Sequence, residues 1–379
     1  METPPESAAD APLTTTADTP RCLVVMPSWI GDALMAHPLL MRLHEADYAL
    51  DAFAPPWVAP LLARIPEVDR ILINPFAHGK LALAARWRLA RSLVDTRTRR
   101  AVVLPNSLKS ALIPFFAGIP ERVGFTGEAR FGLINRRHVL DEATHPRMVE
   151  RFAQLAEPPG APFLRPLPEP KLSSTPEEQA AALEAFALQG KKYVVFCPGA
   201  EYGPAKRWPA RHYAALASEF TRRGFTVCLL GSAKDAATGD EIVASSGHPP
   251  PLKLCGKTTL TQAIDVIAAS TLVVCNDSGL MHVAAALDRP LVALYGSSSP
   301  TFTPPLSKKA RILSLDLPCA PCFRRQCPLG HLDCLNLLEP ARVLEACLAS
   351  IQETGVDSSI LLSHRGNPER GGIRQKEKP

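Results

Sequence analysis

No apolar stretch in this 379-residue sequence approaches the roughly 20 residues that cross a bilayer as a helix. The longest candidate, Ala111 to Ile119, is interrupted by Pro114. The N-terminus, Met1 to Pro20, carries four acids and no base, so it lacks the basic start and apolar centre of a secretory signal. A cytoplasmic protein is expected, and its ten cysteines are then expected as reduced thiols rather than a disulfide framework. Aromatic residues are scarce, at 6%, and do not alternate with the basic ones, which argues against a nucleic-acid partner. Two phosphate-binding signatures are also missing. No G-x-G-x-x-G follows an apolar run, and "CGKTT" at Cys255 has Pro251 where a P-loop needs its first glycine.

What is present is a globular composition, 46% apolar and 21% charged, in a chain long enough for two domains. Short apolar runs alternate with helical patterns. "CLVVM" precedes "GDALMAHPLLMRLHEA", "ALDAFA" precedes "WVAPLLARI", "RILI" precedes "LALAARWRLARSLV", and "AVVLP" precedes "LKSALIPFFAGI". Such alternation predicts parallel sheets covered by helices, an α/β class. Six prolines between Glu157 and Pro170 interrupt it, and it resumes with "YVVFC", "TVCLL", "PLKLC", "TLVVC" and "LVALY". The expected organisation is a tail over 1–20, a first domain over 21–156, a Pro-rich linker over 157–175, a second domain over 176–352 and a basic tail over 353–379. Charge is uneven: residues 76–138 hold twelve Lys or Arg against three Asp or Glu. This excess suits an anionic partner, a phosphorylated substrate or an acidic lipid surface.

Chemistry-bearing residues gather where strands hand over to helices. In "NDSGLMHVAAAL", Asp277 and Ser278 fall at a helix start, where side-chain oxygens commonly cap backbone N–H groups. Capping does not account for Gly279, which lets a ligand approach the backbone, or for His282 one turn on. A helix N-terminus there suits a pyrophosphate. "FCPGAEYGPAKRWP" offers Gly199 and Gly203 for a loop of unusual dihedrals, and Lys206 as a cation for phosphate. The Gly-Ser turn of "LLGSAKD" could present N–H groups to an anion. In "MPSWIGDALMAHPLL", Asp32 is either a first-turn acid or a carboxylate facing the cleft that accepts a proton. Cys319, Cys322, Cys327 and Cys334, with His331 nearby, contain one C-x2-C pair that permits zinc. The remaining spacing is not that of a zinc ribbon, and a reduced structural or substrate-edge loop is favoured.

Taken together, "WIGDALMAHPLL", "LPNSLKSALIPFFAGIPERVGF", "GEARFGLIN", "AKRWP", "NDSGLMHVAAAL" and "PCFRRQCPLGHLDC" resemble the ADP-heptose:lipopolysaccharide heptosyltransferases, glycosyltransferase family 9, over roughly Cys22 to Ala349. The likeness is greatest to those that add the second core heptose. It implies a GT-B enzyme, two Rossmann-like domains facing across a cleft, that inverts the anomeric centre without metal or cofactor. The sequence has no D-x-D. The implied partners are an ADP-heptose donor, a lipid A–Kdo–heptose acceptor and the cytoplasmic face of the inner membrane. By position, Asp32 matches the proposed base. Lys206, Asp277, Ser278, Gly279 and His282 match donor-binding residues, with Gly199 beside them. Asn106, Ser107, Lys109 and Arg122 lie in the stretch expected to face the acceptor. The chain has Ser232-Ala-Lys-Asp235 where relatives can carry a Glu, so no adenosine contact is assigned there. The alternatives are a family member with a different acceptor, a sugar-nucleotide epimerase on the same scaffold, or a non-catalytic nucleotide-binding module.

Overall fold

The structure is a computed structural model that describes residues 19–353 apart from 78, 94 and 96. The N-terminal tail up to residue 18 and the basic C-terminal tail from 354 lie outside the described residues. Six strands form the first sheet: β1 (Arg21–Val25), β2 (Ala49–Ala54), β3 (Val68–Ile73), β4 (Thr98–Val103), β5 (Glu121–Phe125) and β6 (Arg136–His138). Six more form the second: β7 (Tyr193–Cys197), β8 (Thr226–Leu229), β9 (Leu252–Lys253), β10 (Val273–Asn276), β11 (Leu291–Leu294) and β12 (Ala310–Leu313). Every pairing is parallel. The spatial orders are β3-β2-β1-β4-β5-β6 and β12-β11-β10-β7-β8-β9. Counted within each domain these are the same doubly wound order, so each sheet reverses direction once, between β1 and β4 and between β7 and β10. Ligands of open α/β sheets bind at that reversal, beyond the carboxyl ends of the strands.

The central strands are almost wholly apolar because helices cover both faces. All of Arg21–Val25 and all of Tyr193–Cys197 are buried. Arg21 at the start of β1 and Asp51, 2% exposed in the middle of β2, are buried charged exceptions. The Asp51 charge is met by Arg21 on β1 and by Arg70 on β3, the latter at 2.7 Å and 2.5 Å. Strands β5, β6 and β12 read ERVGF, RRH and ARIL, without the apolar run that marks the others, and escape a sequence reading.

The Pro-rich segment has no helix or strand between 157 and 175, yet it is fastened to both domains. Arg42 donates to the Leu164 carbonyl, Lys171 N–H to His37 Nδ1 (3.0 Å) and Leu172 N–H to the Ala286 carbonyl (3.0 Å). Arg64 of the first domain is buried against the second, with Nη2 2.9 Å from Asp265 Oδ2 and Nη1 on Glu178. Ser174 donates its hydroxyl to the other Asp265 oxygen (2.8 Å). Arg64→Ala strands Asp265, 5% exposed, without a cation. The expected loss is about 3 kcal/mol in thermal unfolding, largely restored when Asp265→Leu is combined with Arg64→Met.

Candidate active site

The carboxyl edges of the two sheets meet through two helices. Ile30–Met35 follows β1, Gly279–Ala286 follows β10, and the two pack together. A Cβ on Gly31 would lie 2.8 Å from the His282 ring, and one on Gly279 would lie 2.9 Å from Ile30 Cβ. Gly279 therefore serves the approach of the other domain's helix rather than only that of a ligand. The two reversals are brought face to face by a pair of glycines.

Asp32 is the third residue of its helix and is not the N-cap, a position taken by Trp29 without a side-chain bond. Among the described residues its carboxylate has no hydrogen-bond partner. Burial pushes its pKa up to about 6, against a lowering by Lys206 and a further rise from Asp277. A helix N-terminus favours the charged carboxylate, but desolvation wins here. Asp32 of the first domain is thus within electrostatic reach of Lys206 and Asp277 of the second.

Across the cleft, Lys206 Nζ lies 2.5 Å from Asp277 Oδ2, with Asp277 only 6% exposed. Lys206 also sits 4.9 Å from the Tyr202 ring centre, which Arg325 approaches at 5.2 Å. Neither Asp277 nor Ser278 caps the helix that follows. Asp277 is committed to Lys206, and the Ser278 hydroxyl lies 3.2 Å from Cys275 Sγ. The first turn of Gly279–Ala286 is left without a side-chain cap. His282 is buried and its pKa falls to about 4 through desolvation, so at neutral pH it is an uncharged ring against Gly31, not a cation for an anion.

Several residues differ from their expected parts. A side chain at Gly199 would collide with the Asp235 carboxylate, so this glycine is required by a close approach, not by unusual dihedrals. The Ser232 N–H of the Gly-Ser turn is already taken within the chain: Asp235 accepts from both Ser232 N–H (2.9 Å) and Ser232 Oγ (2.8 Å). Ser107 caps Leu108–Phe116, accepting from Ser110 N–H. Asn106 is exposed at the carboxyl end of β4, beside β1, and Lys109 follows in the first turn. Arg122 is not brought to the cleft. Its guanidinium donates to the carbonyls of Leu133 (2.7 Å), Ile119 (2.6 Å) and Gly132 (3.3 Å) of its own domain.

The zinc option at the cysteines finds no support in the geometry: among the described residues no three His, Cys, Asp or Glu are arranged to hold a metal. Burial, aided by Cys319, Cys322 and Cys327, pushes the Cys334 thiol up to about 11. Their loop instead buttresses the segment that carries Lys206. The Arg325 carbonyl accepts from Ala205 N–H (3.1 Å), directly before Lys206, and Phe323 N–H donates to Ser297 (2.7 Å).

Two positioning residues went unremarked in the sequence. Asn276 is fully buried, accepts from Trp208 N–H (3.1 Å) and Tyr213 Oη (3.1 Å), and donates to the Pro198 carbonyl (2.8 Å). It ties β10 to the loop carrying Lys206. Arg130, 3% exposed, joins the Pro105 carbonyl (3.0 Å) to Asn106 Oδ1 (3.2 Å). Asn276 opens the "NDSG" stretch and Arg130 lies in "GEARFG", so a signal existed, but spacing alone does not separate a positioning group from its neighbours.

Two face-to-face doubly wound sheets, with an acid from one edge and a cation and helix terminus from the other, define a GT-B glycosyltransferase. Residues 86–333 match the model of glycosyltransferase family 9 (heptosyltransferase). The chain is 46% identical to lipopolysaccharide heptosyltransferase 2 of Salmonella typhimurium, over 89% of this chain and 100% of that one. It is equally similar, 46%, to lipopolysaccharide heptosyltransferase 2 of Escherichia coli, over 86% of this chain and 97% of that one. The solved E. coli ADP-heptose lps heptosyltransferase II superposes with a TM-score of 0.80 at 43% identity, covering 88% of this chain and 99% of that one. The chain belongs to glycosyltransferase family 9 and is a heptosyltransferase.

Proposed function

We propose that this enzyme transfers L-glycero-D-manno-heptose from ADP-heptose to the first heptose of the lipopolysaccharide inner core, with inversion and without a metal. The relatives' names supply the substrate class, and the observation that carries the mechanism is the meeting of Asp32 with the Lys206–Asp277 pair across the domain boundary. The single displacement needs a base at the acceptor hydroxyl and charge stabilisation on the leaving diphosphate. Asp32 takes the acceptor proton as the new C–O bond forms at the anomeric carbon and the bond to ADP breaks. Lys206 and the uncapped terminus at Ser278–Gly279 receive the negative charge that ADP carries away. Asp277 orients Lys206 and faces the sugar hydroxyls, Gly199 and His282 shape the donor side, and Asn106, Ser107 and Lys109 flank the acceptor. Arg122 supports that surface by ordering the 119–133 backbone instead of touching substrate. Among the described residues no helix is long and apolar enough to cross a membrane. Reaching a lipid-borne acceptor then calls for peripheral attachment at the cytoplasmic face of the inner membrane.

The test is mass spectrometry of a heptose-terminated core glycolipid after incubation with ADP-heptose. The expected result is a gain of one heptose with release of one ADP, unchanged by EDTA. ADP release without the glycolipid, or no heptose gain on this acceptor, overturns the proposal.

A further inference from the structure

Three of the four tryptophans are exposed, and all three lie in the segments that leave the carboxyl ends of β1, β2 and β3. Trp29 (48% exposed) follows β1, Trp57 (56%) follows β2, and Trp87 (53%) lies in the helix Leu83–Ser92 that follows β3. The fourth, Trp208, is fully buried in the second domain. Soluble surfaces rarely gather such residues, and a Trp ring with one polar edge suits the zone between headgroups and acyl chains.

The helix Leu83–Ser92 packs Leu89 and Ala90 inward but departs from the usual polarity at three positions. It exposes Leu83 (49%) and Trp87, one turn apart on the same side, and buries Arg86 (5%). The Arg86 guanidinium stacks 4.1 Å from the Phe76 ring centre and donates to the carbonyls of Leu81 (2.8 Å), Lys80 (3.4 Å) and Lys109 (3.4 Å). An arginine is thus spent inside to fix the loop and helix that hold two large apolar side chains outside. Lys80, Arg88 and Arg91 are exposed around them, and no acid occurs between Phe76 and Leu93. Further along the basic stretch part of the charge is met internally: Glu121 lies 3.8 Å from Arg100 and 3.3 Å from Arg136, and Asp95 lies 3.1 Å from Arg97. On this helix and its entry loop, exposed basic and exposed apolar side chains therefore coincide with no acid between them.

We infer that this rim, built on Leu83, Trp87, Trp57 and Trp29 with Lys80 and Arg88 beside them, is the surface that docks the enzyme on an anionic phospholipid bilayer. Apolar side chains enter the interface while basic ones hold lipid phosphates. The inference rests on the lipid-borne acceptor proposed above. Because the strands are parallel, Trp29 and Trp57 lie at the same carboxyl edge as Asp32, and the helix that opens on Leu83 starts from that edge, so docking brings the cleft down to headgroup level.

Co-sedimentation with phosphatidylethanolamine–phosphatidylglycerol vesicles tests it, with phosphatidylcholine vesicles as the neutral control. The combined Leu83→Ser and Trp87→Ser variant is expected to bind the anionic vesicles about tenfold more weakly or worse. Arg88→Glu lowers binding severalfold at low salt. Arg99→Glu, exposed near the amino end of β4 at the opposite edge, leaves it within twofold. Unchanged melting curves check that the variants fold. Wild-type protein that ignores anionic vesicles, or a Leu83/Trp87 variant that binds like wild type, overturns the inference. Transfer to a fully deacylated, water-soluble acceptor separates this from the proposed reaction. The variant keeps its kcat/KM on that acceptor and loses it on the vesicle-embedded one. Failure of wild type on both acceptors overturns the proposed reaction, while the sedimentation result still decides the surface.

Discussion

Asp32→Asn is expected to lower kcat by about 10²–10⁴-fold and, at neutral pH, to make the protein more stable. Both follow from one fact, the burial that lifts the Asp32 carboxyl from 3.8 to about 6. A base of that strength is ionised at pH 7 and accepts a proton more readily than a solvated aspartate. In stability the same shift has the opposite sign from a salt-bridged acid. The folded state holds the Asp32 proton more tightly than the unfolded one. Its contribution is fully present below about pH 4 and is lost as pH rises through about 6. Above that, ionised Asp32 costs the fold up to about 3 kcal/mol, which asparagine does not. Thermal melts should therefore show Asp32→Asn gaining more over wild type at pH 8 than at pH 4, with ADP-heptose affinity nearly unchanged. In wild type, kcat/KM should rise with pH through about 6 and then level. An Asp32→Asn protein that turns over within a few-fold of wild type, or that gains no stability at pH 8, removes Asp32 from the role of base.

The gain in stability would also explain a feature of the local sequence. Helix Ile30–Met35 is six residues long, its N-cap makes no side-chain bond, and its first turn holds an acid without a hydrogen-bond partner. Packing compensates: Ala33, Leu34 and Met35 are buried, and Gly31 lets His282 close over the turn. The apolar contact between domains thus holds an unfavourable carboxylate where the proposed displacement calls for a base.

How far the sequence could be read depended on whether each element's signal was local. Strands buried on both faces announce themselves as apolar runs, which is why β1, β7, β10 and β11 and the α/β class were legible. Strand β6, Arg-Arg-His, is set by its register against Val123–Phe125 and not by any pattern of its own. The site behaved alike. Asp32, Lys206, Asp277 and Ser278 were visible because an acid, an amine and a hydroxyl beside glycines at strand ends are locally odd. The close approaches that explain Gly31, Gly199 and Gly279 were not, because each partner is far along the chain. Arg122 misled for the same reason: a basic residue in an acceptor-side stretch looks available until its guanidinium is seen filled by carbonyls. The charge of His282 depended on its burial, which no spacing reveals.

Lys206→Ala is expected to be the most damaging single change on the donor side, in two separable ways. It leaves Asp277, 6% exposed, buried without its cation, at a cost of about 3–5 kcal/mol. It also removes the charge proposed to offset the departing diphosphate, for an expected loss of about 10²–10³-fold in kcat. Combining Lys206→Met with Asp277→Asn separates the two, because the pair goes together and no charge is stranded. Stability should return and activity should not. The pH profile supplies a readout that a merely structural pair would leave untouched. Lys206 lowers the Asp32 pKa and Asp277 raises it. The acidic limb of kcat/KM should therefore move to higher pH in Lys206→Ala and to lower pH in Asp277→Asn, measured on whatever turnover remains. Opposite shifts from two residues of one domain would show that the carboxylate of the other domain senses both across the cleft. If neither variant moves the limb, the titrating base is not Asp32 beside this pair.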